Sequence, residues 1–415
     1  MELIERPTYM DKLHRLRDQH LIKVVTGVRR CGKSTLLEMY VNKLHLSGVD
    51  DNQIQFYNFE DPDVFALGDW KQIYDHIKVQ LVPEKMNYIF LDEVQNVETF
   101  ERLVDGLFIK KNCDVYITGS NAYFLSGELA TLLTGRSIEI EMYTYSFKEY
   151  VEFINKNEVA IDSDSNPLKL TKSECFADYI YYGGIPEANN LLLSDTSASY
   201  DFVNSVLKTI IQKDIYQRHS IKNPSAFEKV IDFIFDSVGS IVSPNSIANS
   251  LTSAGTRVNN ETIANYLSYL SESLLIYKVP RYNIKGKRLL QTLDKYYVVD
   301  SAYRRVRLGR LPDVDTGHLL ENAVYFELRR RNKTVHIGKV NNNEIDFIAV
   351  DWDGYTSYYQ VAQSTFNPEV LERELRPLKA IGDSNPKYLL TMDIDGDPVY
   401  DGIRKLNVAD WMLSE

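Results

Sequence analysis

The stretch LIKVVTGVRRCGKSTLL, close to the start of the chain, leaves little freedom in what this sequence can fold into. A short β-branched run, Ile22 to Thr26, meets a glycine-bearing loop, and the loop opens into the leucine spacing of a helix. Gly27, four intervening residues, Gly32, Lys33 and Ser34 keep the spacing of a phosphate-binding loop. The glycines let backbone N–H groups curl around phosphate oxygens, the lysine reaches the β- and γ-phosphates, and the serine hydroxyl holds Mg2+. The first helical turn adds free N–H groups and the positive end of its dipole. Val28, Arg29, Arg30 and Cys31 lie between the glycines and Thr35 continues the turn, so Gly27 to Thr35 is the expected ATP-binding segment.

A second segment supplies the complementary charge. In MNYIFLDEVQN, Tyr88 to Leu91 form a buried-strand run that ends in Asp92 and Glu93, about 60 residues after the loop. A strand end of this kind places Asp92 beside the Mg2+ on Ser34, through water, and positions Glu93 to polarise the water that attacks the γ-phosphate. CDVYITGSN (Cys113 to Asn121) reads as another buried strand ending on the same carboxyl edge. Ser120 or Asn121 would contact the γ-phosphate or the water there, or simply close a turn. Arg136 is a further candidate: a cation for transition-state charge, in its own molecule or a neighbour's, or a solvated loop arginine.

Composition narrows the remaining classes. A chain of 415 residues predicts two or three domains, and 44% hydrophobic with 25% charged residues is ordinary for a globular protein. The net charge of −11 argues against coating nucleic acid or anionic membrane with the whole surface, though local basic patches remain open. Cys31, Cys113 and Cys175 are widely spaced and odd in number, which fits no disulfide framework or zinc site and predicts a reducing, cytoplasmic setting. The N-terminal segment is charged throughout, and no apolar run reaches spanning length, so no membrane association is expected.

The motifs GVRRCGKSTLL, YIFLDEVQN, YITGSN, LSGELATLLTGR with YSFKEY, and later GGIPEA carry a family resemblance. Together they resemble the bacterial and archaeal AAA-class P-loop ATPases that bear a C-terminal restriction-endonuclease-like domain. The resemblance covers nearly the whole chain. It implies an α/β fold with a parallel-sheet ATPase core, Lys33, Ser34, Asp92 and Glu93 at the Walker positions, and Asn121 near a sensor position.

Four segments are expected: a core over 1–156, a linker and helical lid-like region over 157–223, a winged helix-turn-helix over 224–300, and a nuclease-like domain over 301–415. In the second, Gly183, Gly184 and Pro186 mark a turn, and Phe202 to Arg218 reads as one amphipathic helix with Asp214 and Arg218 a turn apart. In the third, Ser243 and Asn259 are N-cap candidates, and a reading helix would begin near Asn259. The runs LLIYKVPRYN and KYYVVD, separated by KGKR, predict its two long strands. Between Arg281 and Arg310, nine Lys or Arg stand against Asp294 and Asp300, a local net of +7. That charge fits duplex DNA, with Lys285, Lys287 and Arg288 as contacts, or acidic surface in the same chain or in a protein partner.

The last segment runs helix, strand, hairpin, in the order of a restriction-endonuclease-like core. Matched residue by residue, the resemblance puts Glu321, Asp346 and Gln360 at the metal-site positions and Ala362 where a lysine is required. An alanine can neither orient a water nor offset developing charge, so an inactive, degenerate site is expected. The expected cofactors are ATP and Mg2+. The expected activity is ATP hydrolysis coupled to conformational change, with DNA or a protein as partner. The alternatives are a slow nucleotide-gated docking switch and, last, an active nuclease.

Overall fold

A computed structural model describes residues 3–120, 135–157, 171–290, 293–309, 316–394, 396 and 398–414. The chain divides into two compact units, residues 3–144 with 272–274, and residues 145–271 with 275–415.

In the first unit, β1 (Ile22–Thr26), β2 (Ile54–Asn58), β3 (Asn87–Asp92), β4 (Cys113–Gly119) and β5 (Ser137–Glu141) form one sheet in the order β2-β3-β4-β1-β5. Every pairing is parallel. β1, β3 and β4 are buried along their whole length, which is why they read as near-continuous apolar runs. Ile73, Ile77, Leu103, Val104 and Leu107 from the helices Trp70–Val79 and Phe100–Phe108 pack on Ile22, Val24, Ile89, Leu91 and Ile117. Each such side chain contributes about 1.5–3 kcal/mol of burial. Lys23 is a cation fully buried within this unit. It pairs with Asp114, which also accepts the Tyr116 hydroxyl at 2.8 Å, and it donates to the Gln19 carbonyl at 2.8 Å. β2 stops at Asn58, and Asp61 beyond it accepts the Asp63 N–H at 3.0 Å and caps the helix Pro62–Phe65.

The second unit begins with the helices Phe147–Asn157, Lys172–Tyr182, Pro186–Leu192 and Thr196–Thr209. The first of these, expected inside a core ending at 156, groups with this unit instead. The expected regular helix from Phe202 to Arg218 is also modified. Ile210–Tyr216 widens into a π-helix with Asp214 buried, so the regular α-turn expected between Asp214 and Arg218 is interrupted. The Gly183–Gly184 turn closely approaches the Tyr145 backbone and the Asp300 carboxylate. The Gly184 N–H donates to Asp300 at 2.8 Å, and its carbonyl accepts from Tyr145 at 2.8 Å. A Cβ on Gly183 would lie 1.8 Å from Asp300 Oδ1, so glycine is required.

Next come the helix Pro224–Asp236, β6 (Ile241–Val242), the helices Pro244–Ser253 and Asn260–Glu272, β7 (Ile276–Val279), β8 (Arg281–Asn283), β9 (Arg288–Leu289) and β10 (Asp294–Val298). Both expected caps are present: Ser243 accepts from Ser246 N–H at 3.1 Å and Asn259 from Thr262 N–H at 2.7 Å. β6, β10 and β7 make an antiparallel sheet in that order. The single strand expected through Pro280 is divided there, because proline fixes φ and has no N–H for a ladder. β7 stays in the three-stranded sheet, whereas β8 pairs with a strand of the next one.

That next sheet follows the helices Ser301–Leu308 and Thr316–Arg331. It contains β11 (Thr334–Val340), β12 (Asn343–Val350), β13 (Thr356–Ala362), β14 (Lys387–Thr391), β15 (Val399–Tyr400) and β16 (Ile403–Asn407), in the order β15-β16-β14-β13-β12-β11-β8-β9. β11, β12 and β13 form an antiparallel meander, and β13, β14 and β16 run parallel. The helix Pro368–Lys379 crosses between β13 and β14. Among the described residues no helix is long and apolar enough to cross a membrane.

Candidate active site

The parallel sheet of the first unit brings the ends of β1, β3 and β4 to one edge, the edge where open α/β sheets take ligands. The loop after β1 turns on two glycines. A Cβ on Gly27 would stand 2.3 Å from the Met142 carbonyl oxygen, and Gly32 has φ 102° as it opens the helix Lys33–Leu46. Arg6 braces the loop from outside, its guanidinium donating to the carbonyls of Cys31 at 3.0 Å, Tyr143 at 3.0 Å and Thr144 at 3.2 Å.

Lys33 is buried, with Nζ 3.1 Å from the Gly27 carbonyl and 3.4 Å from Glu93 Oε1. Burial works most strongly against its charge, but Glu93 together with Cys31 and Asp92 outweighs it and holds the ammonium above its ordinary value. Glu93 shifts the opposite way. Burial would raise its carboxyl, yet Lys33, with help from Gln95 and Arg29, keeps it below the usual range. The two side chains are therefore a buried ion pair, with each partner charged.

Thr118 ties the two strand-end carboxylates together. Its hydroxyl donates to Asp92 Oδ1 at 2.6 Å and accepts the Glu93 N–H at 2.8 Å. That second bond holds Glu93 in a left-handed backbone conformation, φ 50° and ψ 45°, which costs a non-glycine residue about 1 kcal/mol or more. The other Asp92 oxygen, Oδ2, is buried with no hydrogen-bond partner. Burial raises the Asp92 carboxyl, with Thr118 and Ser34 pulling against it. An orphaned acceptor beside the serine of the phosphate loop suits a hard cation that prefers oxygen ligands, so the residues present fit Mg2+. Ser120 donates to Glu93 Oε2 at 3.3 Å, and Gln95 also donates to that oxygen. Thr118 and Gln95 were not legible as site residues, although Thr118 sits in the same ITGS run that pointed to Ser120. Asn121 lies outside the described residues.

Arg136 is placed differently. β5 runs parallel to β1 with Ser137 opposite Ile22, and the Ile22 N–H donates to the Arg136 carbonyl at 2.8 Å. Arg136 thus stands at the amino-terminal edge of the sheet, the length of the five-residue β1 away from the loop, or about 16 Å. It pairs with Asp105 and lies 5.7 Å from the Phe108 ring. That position removes the role considered for it on phosphates bound to its own molecule.

The basic segment also reads differently once folded. Of its nine cations, Arg281 faces Glu344 at 3.9 Å, and Lys295 is buried among carboxylates. Arg304 donates to the Phe235 carbonyl at 2.7 Å, Arg305 stacks over Tyr181, Tyr182 and Tyr200, and Arg307 pairs with Glu228 and Asp232. Three of these cations, Arg281, Lys295 and Arg307, therefore face carboxylates inside the same unit, while Arg304 and Arg305 are buried against a carbonyl and tyrosine rings. Lys285, Lys287 and Arg288, in the β8–β9 hairpin, are exposed. Arg310 lies outside the described residues.

In the eight-stranded sheet, Glu321 from the helix Thr316–Arg331 and Asp346 from β12 converge, while Gln360 of β13 donates to Glu374 at 3.0 Å. Lys295 of β10 stands between them, with Nζ 2.9 Å from Glu321 Oε1 and 3.8 Å from Asp346 Oδ1. Asp346 is buried, and burial together with Glu321 pushes its carboxyl up to about 8. A lysine is thus present in this cluster although position 362 holds alanine, and nothing near position 362 in the sequence announced it.

Residues 19–151 match the AAA domain family, and residues 173–313 match a domain of unknown function (DUF8612). An uncharacterized protein of Haemophilus influenzae is 36% identical over 417 residues, covering 99% of each chain. An uncharacterized protein of Methanocaldococcus jannaschii is 31% identical over 331 residues, covering 79% of this chain and 71% of its own. Among solved structures, a Walker-type ATPase of Pyrococcus abyssi is similar in fold, with a TM-score of 0.50 at 14% identity over 74% of this chain and 96% of that one. With its phosphate loop and paired strand-end carboxylates inside the matched AAA domain, the chain belongs to the family of the Haemophilus and Methanocaldococcus proteins and is an AAA-class P-loop ATPase.

Proposed function

We propose that the chain binds ATP with Mg2+ and couples its hydrolysis to a change of conformation, with Glu93 polarising the attacking water. The observation that carries this reading is the buried Lys33–Glu93 pair at 3.4 Å. A γ-phosphate competes with Glu93 for the Lys33 ammonium, so nucleotide binding releases Glu93 toward water when the reaction requires a base. Gly27 to Thr35 would cradle the phosphates with backbone N–H groups, and Ser34 and Asp92 would hold Mg2+, which supplies neutralising charge on the phosphate oxygens. The test is Glu93→Gln. Retained ATP binding with lost turnover supports the base role, and normal turnover overturns it.

Residues 224–298 support a winged-helix reading: helix, strand, two helices, then four strands, of which β7 and β10 join β6 in a sheet ordered β6-β10-β7. Lys285, Lys287 and Arg288 would contact duplex DNA through phosphates, which position a protein without reading sequence. One observation favours a second reading, docking of a protein partner. The helix Asn260–Glu272, which would lie in the groove, contains Glu261 and Glu272 and no lysine or arginine. ATP turnover with and without duplex DNA separates the two, since stimulation requires the DNA to bind. The helix, meander, helix, strand order over 316–391 supports a restriction-endonuclease-like domain retained for its fold.

A further inference from the structure

The carboxylate cluster of the second unit already contains a cation. Lys295 Nζ lies 2.9 Å from Glu321 Oε1, 2.9 Å from Glu344 Oε1 and 3.8 Å from Asp346 Oδ1, and its residue is only 4% exposed. The surrounding groups are arranged for that ammonium. Tyr297 donates to Glu321 Oε1 at 2.6 Å, and the Val361 N–H holds Asp346 Oδ2 at 2.8 Å. The remaining charges have partners too. Arg281 faces Glu344 Oε2, and Arg373 donates to Glu374 at 2.8 Å.

A divalent ion would require oxygen ligands converging at about 2.0–2.1 Å for Mg2+, with near-octahedral geometry. Among the described residues, no group of three or more His, Cys, Asp or Glu is arranged to hold a metal ion. The carboxylates are instead spread around an ammonium at hydrogen-bond distance. The residues present therefore do not fit the metal that a nuclease-like domain implies.

We propose that Lys295 is the resident cation of this cluster, occupying the place of a divalent metal and closing the site to one. It comes from β10 of the three-stranded sheet, whereas Glu344 and Asp346 come from β12 of the eight-stranded sheet and Glu321 from the helix between them in sequence. The ammonium thereby joins two sheets that share no strand. Removing its charge should unmask a divalent-ion site formed by Glu321, Glu344 and Asp346, with Gln360 Oε1, buried and without a hydrogen-bond partner, as a further oxygen. The proposal rests on contacts within the second unit alone and does not depend on the ATPase reading.

The test uses the full chain carrying Asp92→Asn, so that the ATPase site lacks the carboxylate expected to hold its Mg2+, and follows free Mn2+ by electron paramagnetic resonance. The parent and a Lys295→Arg variant should bind no Mn2+ that Asp346→Asn abolishes. Lys295→Met should gain a Mn2+ site at least about tenfold tighter than any in the parent, and Asp346→Asn should remove it. Mn2+ bound by the parent and lost on Asp346→Asn would overturn the proposal, as would a folded Lys295→Met chain that gains no site. Should Lys295→Met fail to fold, Lys295→Met with Glu344→Gln removes one charge of each sign and is judged by the same two outcomes.

Discussion

Thr118→Val tests the geometry of the ATPase site without touching a nucleotide ligand. Valine keeps the shape of threonine and removes both hydroxyl bonds, the 2.6 Å donation to Asp92 and the 2.8 Å acceptance from the Glu93 N–H. A hydrogen bond to a carboxylate contributes about 1.5–3 kcal/mol and an orphaned buried N–H costs about 1–3 kcal/mol. The new methyl group returns about 0.8 kcal/mol. The expected loss of stability is thus about 2–5 kcal/mol, read as a lower urea midpoint of the full chain. Turnover should fall further than binding, because Glu93 loses the bond that holds its left-handed backbone. A fall in kcat of about tenfold or more, with KM for ATP changed less than about twofold, is the expected split. Thr118→Ser should restore both quantities. Unchanged urea midpoint and unchanged kcat in Thr118→Val would refute the claim that Thr118 positions the carboxylate pair.

Lys33→Ala should abolish binding of a fluorescent ATP analogue, whereas Glu93→Gln should bind it and lose turnover by about a hundredfold or more. Arg136→Ala should leave turnover per chain unchanged at low protein concentration; a rise of wild-type turnover per chain with concentration that Arg136→Ala loses and regains on mixing with Asp92→Asn would assign Arg136 to a neighbouring subunit's site. If duplex DNA binds, reversing Lys285, Lys287 and Arg288 to Glu should flatten the plot of log affinity against log salt by about 2–3 units. For Asp393, burial works upward, but Lys405 at 2.8 Å, with Ser364 and Thr365, pulls the carboxyl down to about 2. Stability from that pair is complete above the ordinary carboxylate range and is lost as pH falls toward 2, so Lys405→Met should move the acid-unfolding midpoint, followed by circular dichroism, to higher pH.

The phosphate loop was legible because its chemistry is written in contiguous residues, and a strand ending in Asp92 and Glu93 needed only a second short segment. Thr118 and Lys295 were not legible, because each acts through a neighbour supplied by sheet pairing or by a remote strand. Thr118 meets Asp92 across the parallel β3–β4 register, and Lys295 meets Glu344 across two sheets. The charge of Arg281 to Arg310 misled for a related reason: sequence counts cations, and folding decides which of them meet water. Arg304 and Arg305 are buried, while Lys285 and Lys287 are exposed, yet all four read alike in a charge sum. Pro280 was visible and its effect on the strand was still missed, since an alternating pattern looks continuous across a residue that cannot join a ladder.

The Gly183–Gly184 turn has a consequence for how the chain is made. Its anchor, Asp300, is 116 residues further along than Gly184. At synthesis rates of about 5–20 residues per second, the ribosome reaches that aspartate about 6–23 s after the glycines. During that interval the Gly184 N–H has no carboxylate to donate to, and the helices on either side of the turn are held only by local contacts. The first 144 residues contain a complete parallel sheet before that delay begins. Vectorial folding would therefore finish the nucleotide-binding core first and leave the following helices waiting for a side chain not yet translated, the interval in which a chaperone or a nascent-chain protease would find them.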